Sequence, residues 1–206
     1  VEKVIPFLNI KVIIGSKLSY RDYIYDYSLL CEYSGHGYKK KRKAVNKFYS
    51  SYNYAYIPIN KINCKEALSA LNRIVFQLQD TGDKDEWDAY TRILNNFEAL
   101  KLKGGMILID GRIEGIAVAE AYHETIYIHI RRCNKKYSGI YPAMLQLLLK
   151  NEFGDQKYKF VNLQDDMGIE NIRKTKLSYR PIKLLDKYYI QEEKTSDDNT
   201  CSRTAI

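Results

Sequence analysis

The chain has 206 residues, a formal net charge of +8, 45% hydrophobic and 28% charged residues. It is long enough for one sizeable core with an appended piece, and it contains no apolar run near the ~18 residues that a membrane span needs. The charge favours anionic partners such as nucleic acid, phosphorylated cofactors or acidic lipid headgroups, although a plain solubility charge explains it too. The opening VEKVIPFLNIKVIIG has no Met and no secretory pattern, so a fragment of a longer chain is expected. It and RDYIYDYSLL read as one or two strands and then a strand entering a helix. Lys39, Lys40, Lys41, Arg42, Lys43 and Lys47 place six cations in nine positions, on a helix with Tyr38, Val45 and Phe48 as its narrow apolar stripe. YNYAYIPI reads as a strand.

Cys64 to Gln79 is the clearest helix, with Cys64, Ala67, Leu68, Leu71, Ile74, Val75 and Leu78 at helical spacing and Asn63 with Glu66 as a capping box. A second helix carries Trp87, Tyr90, Ile93, Leu94, Phe97 and Leu100 on one side. The period then switches to two. GGMILID, RIEGIAVAEAYH and ETIYIHIRR predict three antiparallel strands, turning at Asp110-Gly111 and near Glu124. In the third, alternation puts Ile126, Ile128 and Ile130 on one face and Tyr127, His129 and Arg131 on the other. The helix IYPAMLQLLLKNEF comes next, then the strand YKFVNL, a short helix over Ile169 to Leu177, and a strand PIKLLDKYYI; the tail is predicted to be disordered. From Tyr54 onward this is the element order of a GNAT-like, acyl-CoA N-acyltransferase fold: α/β (α+β), with a mixed, largely antiparallel sheet flanked by helices.

The stretch NLQDDMGIENIRKTKLSY gathers the most chemistry. Arg173 and Lys176 fall among the apolar positions Ile169, Ile172 and Leu177. Asp166 is placed to cap the helix, and Asp165 to pair with Arg173 or Lys176. A structural salt-bridge cluster and a recess for an anionic guest both account for these four charges.

The turn NKKYSGIYP holds Lys136, Gly139 and Tyr141 where this fold normally carries Gln/Arg-x-x-Gly-x-Gly/Ala to cradle a coenzyme A pyrophosphate. Tyr141 is bulky for such a cradle. On the middle strands, Gly115, Ala117, Ala119 and Ala121 leave room for a groove beside Tyr127, His129 and Arg131, and His129 has the chemistry of a general base. No cluster has metal-ligand spacing, so no metal is expected. The four cysteines, Cys31, Cys64, Cys133 and Cys201, are scattered, which predicts reduced thiols and a cytoplasmic protein.

GYKKKRKAVNKF, HIRRCNKKYSGIYPAM and VNLQDDMGIENIRKTKLSYRPIKLLDKY together resemble the phosphatidylglycerol lysyltransferase C-terminal domain family. The closing stretch is the most specific, with Asn162, Asp166, Gly168, Ile169, Arg173, Lys174, Lys176, Ser178, Tyr179 and Pro181 in register with the family pattern. Arg131, Leu163 and Lys43 depart from it, standing where the pattern has Glu, Arg and Asn.

The resemblance implies two GNAT-like lobes, the second of which is present here: residues 1–50 as a remnant of the first lobe plus a basic linking helix, 51–190 as the GNAT-like domain, and 191–206 as the tail. It also implies transfer of an amino acid from aminoacyl-tRNA to a lipid headgroup or another hydroxyl or amine acceptor, without a cofactor. In that reading Asp165, Asp166, Arg173, Lys176 and His129 are catalytic. Tyr127, Arg131, Lys136, Gly139, Tyr141, Asn162 and Tyr179 bind substrate, and Lys39 to Lys43 bind tRNA phosphates. Contact with the inner membrane face would be peripheral. The alternatives are a coenzyme-A-dependent N-acyltransferase and a non-catalytic module that binds nucleic acid or other anions.

Overall fold

A computed structural model describes residues 12–77, 84–154 and 157–192. The scaffold is a meander of β4 (Lys103–Ile109), β5 (Arg112–Tyr122) and β6 (Thr125–Cys133). Its first turn, Asp110-Gly111, has both residues at positive φ, 49° and 80°, which matches the right-handed twist of the strands it joins. β3 (Tyr54–Pro58) adds to β4. On the other side the order continues through β7 (Phe160–Asn162), β2 (Asp22–Asp26) and β8 (Lys183–Leu185), giving β3-β4-β5-β6-β7-β2-β8. Every neighbouring pair is antiparallel except β6 with β7. This is the expected GNAT-like mixed sheet.

Both faces are covered. On one, α1 (Tyr27–Glu32), α2 (Lys39–Ser51) and α5 (Ile140–Glu152) pack over Ile107, Ala117, Ala119, Ile126 and Ile128. α5 buries Ile140, Ala143, Met144, Leu145, Leu148 and Leu149, which makes it a central helix rather than a surface one. On the other, α3 (Cys64–Gln77) lays Ala67, Ala70, Leu71 and Ile74 on the sheet beside Tyr90 and Leu94 of α4 (Lys84–Asn95). α6 (Glu170–Leu177) buries none of its residues.

Four expectations change here. The boundary near residue 50 does not separate two bodies, because β2 lies inside the sheet and residues of α1 and α2 belong to its core. PIKLLDKYYI is two strands rather than one: β8 joins the main sheet, and β9 (Tyr188–Glu192) pairs with β1 (Val12–Ser16) in a separate ribbon. Asn63 does not close a capping box, since its Oδ1 accepts from Asn60 N at 2.8 Å, outside the helix. Gln191 and Glu192, expected to begin the disordered tail, instead end β9, while Leu78 and residues 193–206 lie outside the described residues.

The strict alternation on β6 also fails, for a physical reason. Val118 stands opposite Ile130 and Ala119 opposite Ile128, so His129 is the extra residue of a β-bulge. An inserted residue shifts the phase of everything after it. Ile126 and Ile128 therefore join the α5-side core, whereas Ile130 joins the α3/α4 side. Arg131 and Cys133 swing to the α5 side, and Arg132 reaches Tyr90 and Glu86 on α4.

Candidate active site

The fold opens where β6 and β7 part. They pair at Thr125, Ile126 and Tyr127 against Phe160, Val161 and Asn162. β6 then runs on to Cys133, while the other chain turns away toward β2, with Leu163 N donating to Tyr23 O and Tyr23 N to Gln164 O, each at 3.1 Å. Asn162 fixes the departure: its Nδ2 donates to Asp22 at 2.9 Å and its Oδ1 accepts from Gln164 N at 2.6 Å. Gln164, at φ 60°, then spans the gap, its Nε2 lying 3.2 Å from His129 Nδ1. His129 Nε2 lies 3.2 Å from Glu120. With Gln164 donating to Nδ1, the neutral ring carries its proton on Nε2, toward the carboxylate. This Gln164–His129–Glu120 row sits on the bulge, with His129 half-buried. Neither Glu120 nor Gln164 was anticipated as a site residue; the strand alternation that exposes Glu120 opposite Tyr127 was the available signal.

The wall formed by residues 162–168 and α6 is saturated with partners. Asp166, 1% exposed, accepts from Tyr23 Oη at 2.6 Å, Arg173 Nε at 2.7 Å, Arg173 Nη2 at 3.2 Å and Gly168 N at 2.8 Å. The Arg173 guanidinium holds its carboxyl well below the usual carboxylate range. Asp165 pairs with Lys187 at 2.7 Å, and Lys187 also reaches Asp22 at 2.8 Å. Lys176 donates to Leu163 O at 2.5 Å and to Asp165 O.

Two expectations are thereby corrected. Asp166 closes a turn onto Gly168 rather than capping α6, whose N-cap is Ile169. Asp165 pairs with neither Arg173 nor Lys176, because Lys187 and the loop's own folding reach it first. Ile169 and Leu177, 48% and 49% exposed, do not form a core face.

Behind this wall lies a different environment. Arg131 is deep in the protein beside Tyr25, Tyr33 and Tyr179, with its Cζ 5.3 Å from the Tyr179 ring centre. Its Nη1 is buried without a hydrogen-bond partner, and no ion pair joins it to a described carboxylate. Arg131 nonetheless keeps some solvent-accessible surface as a residue. Lys41 stands over the same Tyr179 ring at 3.7 Å and donates to Ser178 Oγ at 2.8 Å. Burial, with Arg131 next, pushes Lys41 down to about 8. The same causes in the same order bring Lys176 to about 8, against the pull of Asp165, Asp22 and Asp166.

The tyrosine hydroxyls are directed elsewhere: Tyr25 to Lys176 O, Tyr33 to Pro142 O and Tyr38 to Tyr179 O, at 2.9, 2.9 and 2.8 Å. Tyr179 is fully buried, a structural platform as much as a contact.

The remaining expected residues are dispersed. Lys39, Lys40 and Lys43 of the basic tract are exposed, Lys41 enters the tyrosine cluster, and Arg42 caps Tyr33 O and Gly35 O. The turn before α5 is packed rather than open. Ser138 N donates to Tyr52 Oη at 3.1 Å, and a Cβ at Gly139, φ +85°, would stand 2.2 Å from the Ala44 carbonyl oxygen. Tyr141 is half-buried, and Lys136 stands exposed beside Tyr137. The groove expected from small residues is filled: Ala117 and Ala119 are fully buried, and Gly115 faces Ile140 and Met144 of α5. Small side chains there let α5 pack close to the sheet. Tyr127 remains half-buried on β6.

Residues 17–191 match the family model for the C-terminal region of phosphatidylglycerol lysyltransferase. The chain belongs to this family. Within the family's range of likenesses, the chain is similar to a conserved protein of unknown function from Bacteroides thetaiotaomicron, at 30% identity and TM-score 0.82 over 92% of this chain and 64% of that one. It is also similar to L-PGS from Bacillus licheniformis, with 15% identity and TM-score 0.65 over 95% and 66% of the two chains, a likeness of fold. The uncharacterized protein MYCGA3080 of Mycoplasmoides gallisepticum is 28% identical over 82% of this chain and 56% of its own length. The chain thus spans little more than half of that curated relative and under two thirds of the Bacteroides protein. Family and fold agree on a GNAT-like, mixed and largely antiparallel sheet flanked by helices. Among the described residues, no helix is long and apolar enough to cross a membrane.

Proposed function

We propose that this chain is the catalytic lobe of an aminoacyltransferase that moves an amino acid from aminoacyl-tRNA to a hydroxyl or amine acceptor, a lipid headgroup among them. The observation that supports this reading is the parting of β6 from β7, across which Gln164, His129 and Glu120 form one row. An aminoacyl ester is already activated, so the protein has to align donor and acceptor and move one proton. His129 takes the proton of the attacking group on Nδ1 once the Gln164 amide yields that nitrogen to it, while Glu120, facing the Nε2 proton, supports the charged ring. Asp165, Asp166, Arg173 and Lys176 shape the wall against which the tRNA terminus rests. Lys39, Lys40 and Lys43, exposed on one end of α2, meet tRNA phosphates, and contact with a membrane is peripheral. No metal or organic cofactor enters this scheme.

Coenzyme A as donor is the weaker reading. Of the backbone donors in that turn, Ser138 N is taken by Tyr52 Oη, Lys136 N by Asn134 Oδ1 and Ile140 N by Tyr137 O, and Gly139 is pressed against Ala44.

The test is to incubate the protein with tRNA carrying labelled amino acids and a cell extract containing lipids. Label should pass from tRNA into an extractable acceptor, and His129→Ala should slow transfer by about 10²- to 10⁴-fold while leaving tRNA binding intact. Retention of all label on tRNA, with acetyl-CoA consumed instead, would replace this reading with the second one.

A further inference from the structure

The proposed function leaves Arg131 without a task, and its surroundings define one. Its Nη1 is buried with no partner; the Tyr25 and Tyr33 hydroxyls are turned to Lys176 O and Pro142 O, and the neutral Tyr179 hydroxyl that accepts from the guanidinium brings no negative charge to it. A guanidinium does not give up its proton, so burial cannot be relieved by neutralisation as it can for a lysine. Buried charges are normally paired. The nearby acids are already engaged: Asp166 by Arg173, Asp165 and Asp22 by Lys187. Lys41 and Lys176 add two more cations, each close enough to Arg131 for the like charge to lower its proton affinity. Arg131 and Lys41 therefore concentrate positive charge around the Tyr179 ring, with Lys176 over the neighbouring Tyr23 ring, and each of the three residues keeps some solvent-accessible surface.

We propose that the recess formed by Arg131, Lys41, Lys176 and Tyr179 is a binding subsite for a small oxyanion group of the substrate, a carboxylate or a phosphate. The inference rests on the transferase reading above and deepens it by giving the guest a charge. The planar fork of Arg131 suits two oxygens of one anionic group, Lys41 approaches from α2, and Lys176 closes the side toward the 163–165 loop. The two sources of such a group are the acidic side chain of a transferred amino acid and a phosphate of the tRNA end or acceptor. A cationic guest with no anionic group is repelled by the same three cations.

The test uses the whole chain without tRNA, in a buffer of low anion content. L-glutamate, inorganic phosphate and L-lysine methyl ester, a cation with no carboxylate, are titrated separately by calorimetry and by thermal shift. Saturable binding of glutamate or phosphate is expected, with a melting temperature raised by several degrees at saturation, and none with the lysine ester. Glutamate binding identifies a carboxylate source; phosphate binding identifies a phosphate source.

Arg131→Gln should weaken the anion at least tenfold, and Arg131→Lys should restore part of the loss. Should Arg131→Gln not fold, Lys41→Gln at the mouth of the recess carries the same expectation of weakened binding. Failure of both anions to bind saturably, the lysine ester binding as well as either, or undiminished affinity in a folded Arg131→Gln or Lys41→Gln would overturn the proposal. Because no transfer step is involved, anion binding without aminoacyl transfer refutes only the proposed function, and transfer without anion binding refutes only this subsite.

Discussion

Two neighbouring walls of one cleft handle charge in opposite ways. Along residues 162–168 and α6, each acid has its base: Asp166 with Arg173, Asp165 and Asp22 with Lys187. Around Tyr179, Arg131 and Lys41 lie against one aromatic ring with no acid opposite them. The first arrangement builds a rigid turn through three positive-φ residues, Gln164, Met167 and Gly168. The second is costly until something negative arrives. The residues that look most chemical in the sequence, Asp166 and Arg173, are thus the ones whose bonds are complete, and the departure at Arg131 is the one left wanting a partner.

The strongest way to break this contrast is to remove the element both walls share. Tyr179 is fully buried, stacks near Tyr25 and Tyr33, and ends the segment that α6 begins. Tyr179→Ala should cost about 3 to 5 kcal/mol from the lost ring and the cavity left behind. Urea denaturation should show the midpoint falling with little change in slope. A loss below about 1 kcal/mol would mean that the recess collapses freely and is not a preformed site.

A smaller loss isolates the paired wall. Asp166→Ala strands the buried Tyr23 hydroxyl and releases Arg173, costing about 1 to 3 kcal/mol. The sign of the pH effect is set by Asp166 being held below its ordinary range. Its contribution is complete above the unfolded carboxyl value and is lost as pH falls through that value toward the folded one. The wild type should therefore lose stability between about pH 4 and pH 2 more steeply than Asp166→Ala, measured by thermal melts across that range.

The unpaired wall responds at the opposite end of the pH scale. Lys41 and Lys176 sit at about 8 in the folded chain and near 10.5 when unfolded. From about pH 8 upward the unfolded chain holds protons that the folded one has released, so stability rises with pH there, by about 1 kcal/mol for each lysine up to pH 9.5 once the solvent screening of these partly exposed groups is allowed for. Saturating the recess with its anion should abolish that rise, since the anion favours the charged lysines. Lys41→Gln should halve it.

Much of this frame was legible in the sequence. Alternation over Gly104 to Arg132 gave three strands, Asp110-Gly111 gave the turn, and the i, i+3, i+4 stripe of Ala67, Leu71 and Ile74 gave α3. The bulge at His129 was not legible, because one inserted residue leaves the apolar pattern Ile126, Ile128, Ile130 intact while exchanging the faces taken by Ile130, Arg131 and Arg132. Nor could the environment of Arg131 be read. It is assembled from residues 25, 33, 41 and 179, which meet only once β2 slots between β7 and β8. The charges of Asp165 and Lys176 were visible, but their true partners, Lys187 and the 163–165 carbonyls, depend on how the loop folds back.

The smallest effect on stability is also the sharpest on function, and it divides the basic tract itself. Lys39, Lys40 and Lys43 are exposed on α2, while Lys41 turns inward to Tyr179. Replacing the three outward lysines with Gln should change stability by less than about 0.5 kcal/mol, as solvated surface charges do. For every lysine that meets a tRNA phosphate, its removal should lower the slope of log affinity against log salt by about 1. Lys41→Gln should do the reverse where the guest is a carboxylate, weakening the small anion while leaving the tRNA salt slope unchanged; a guest that is a phosphate of the tRNA end lowers that slope by about 1 as well. Filter binding at several salt concentrations separates the two behaviours. Equal slopes for the triple variant and the wild type would assign the outward lysines to solubility and leave the recess as the place where this chain reads negative charge.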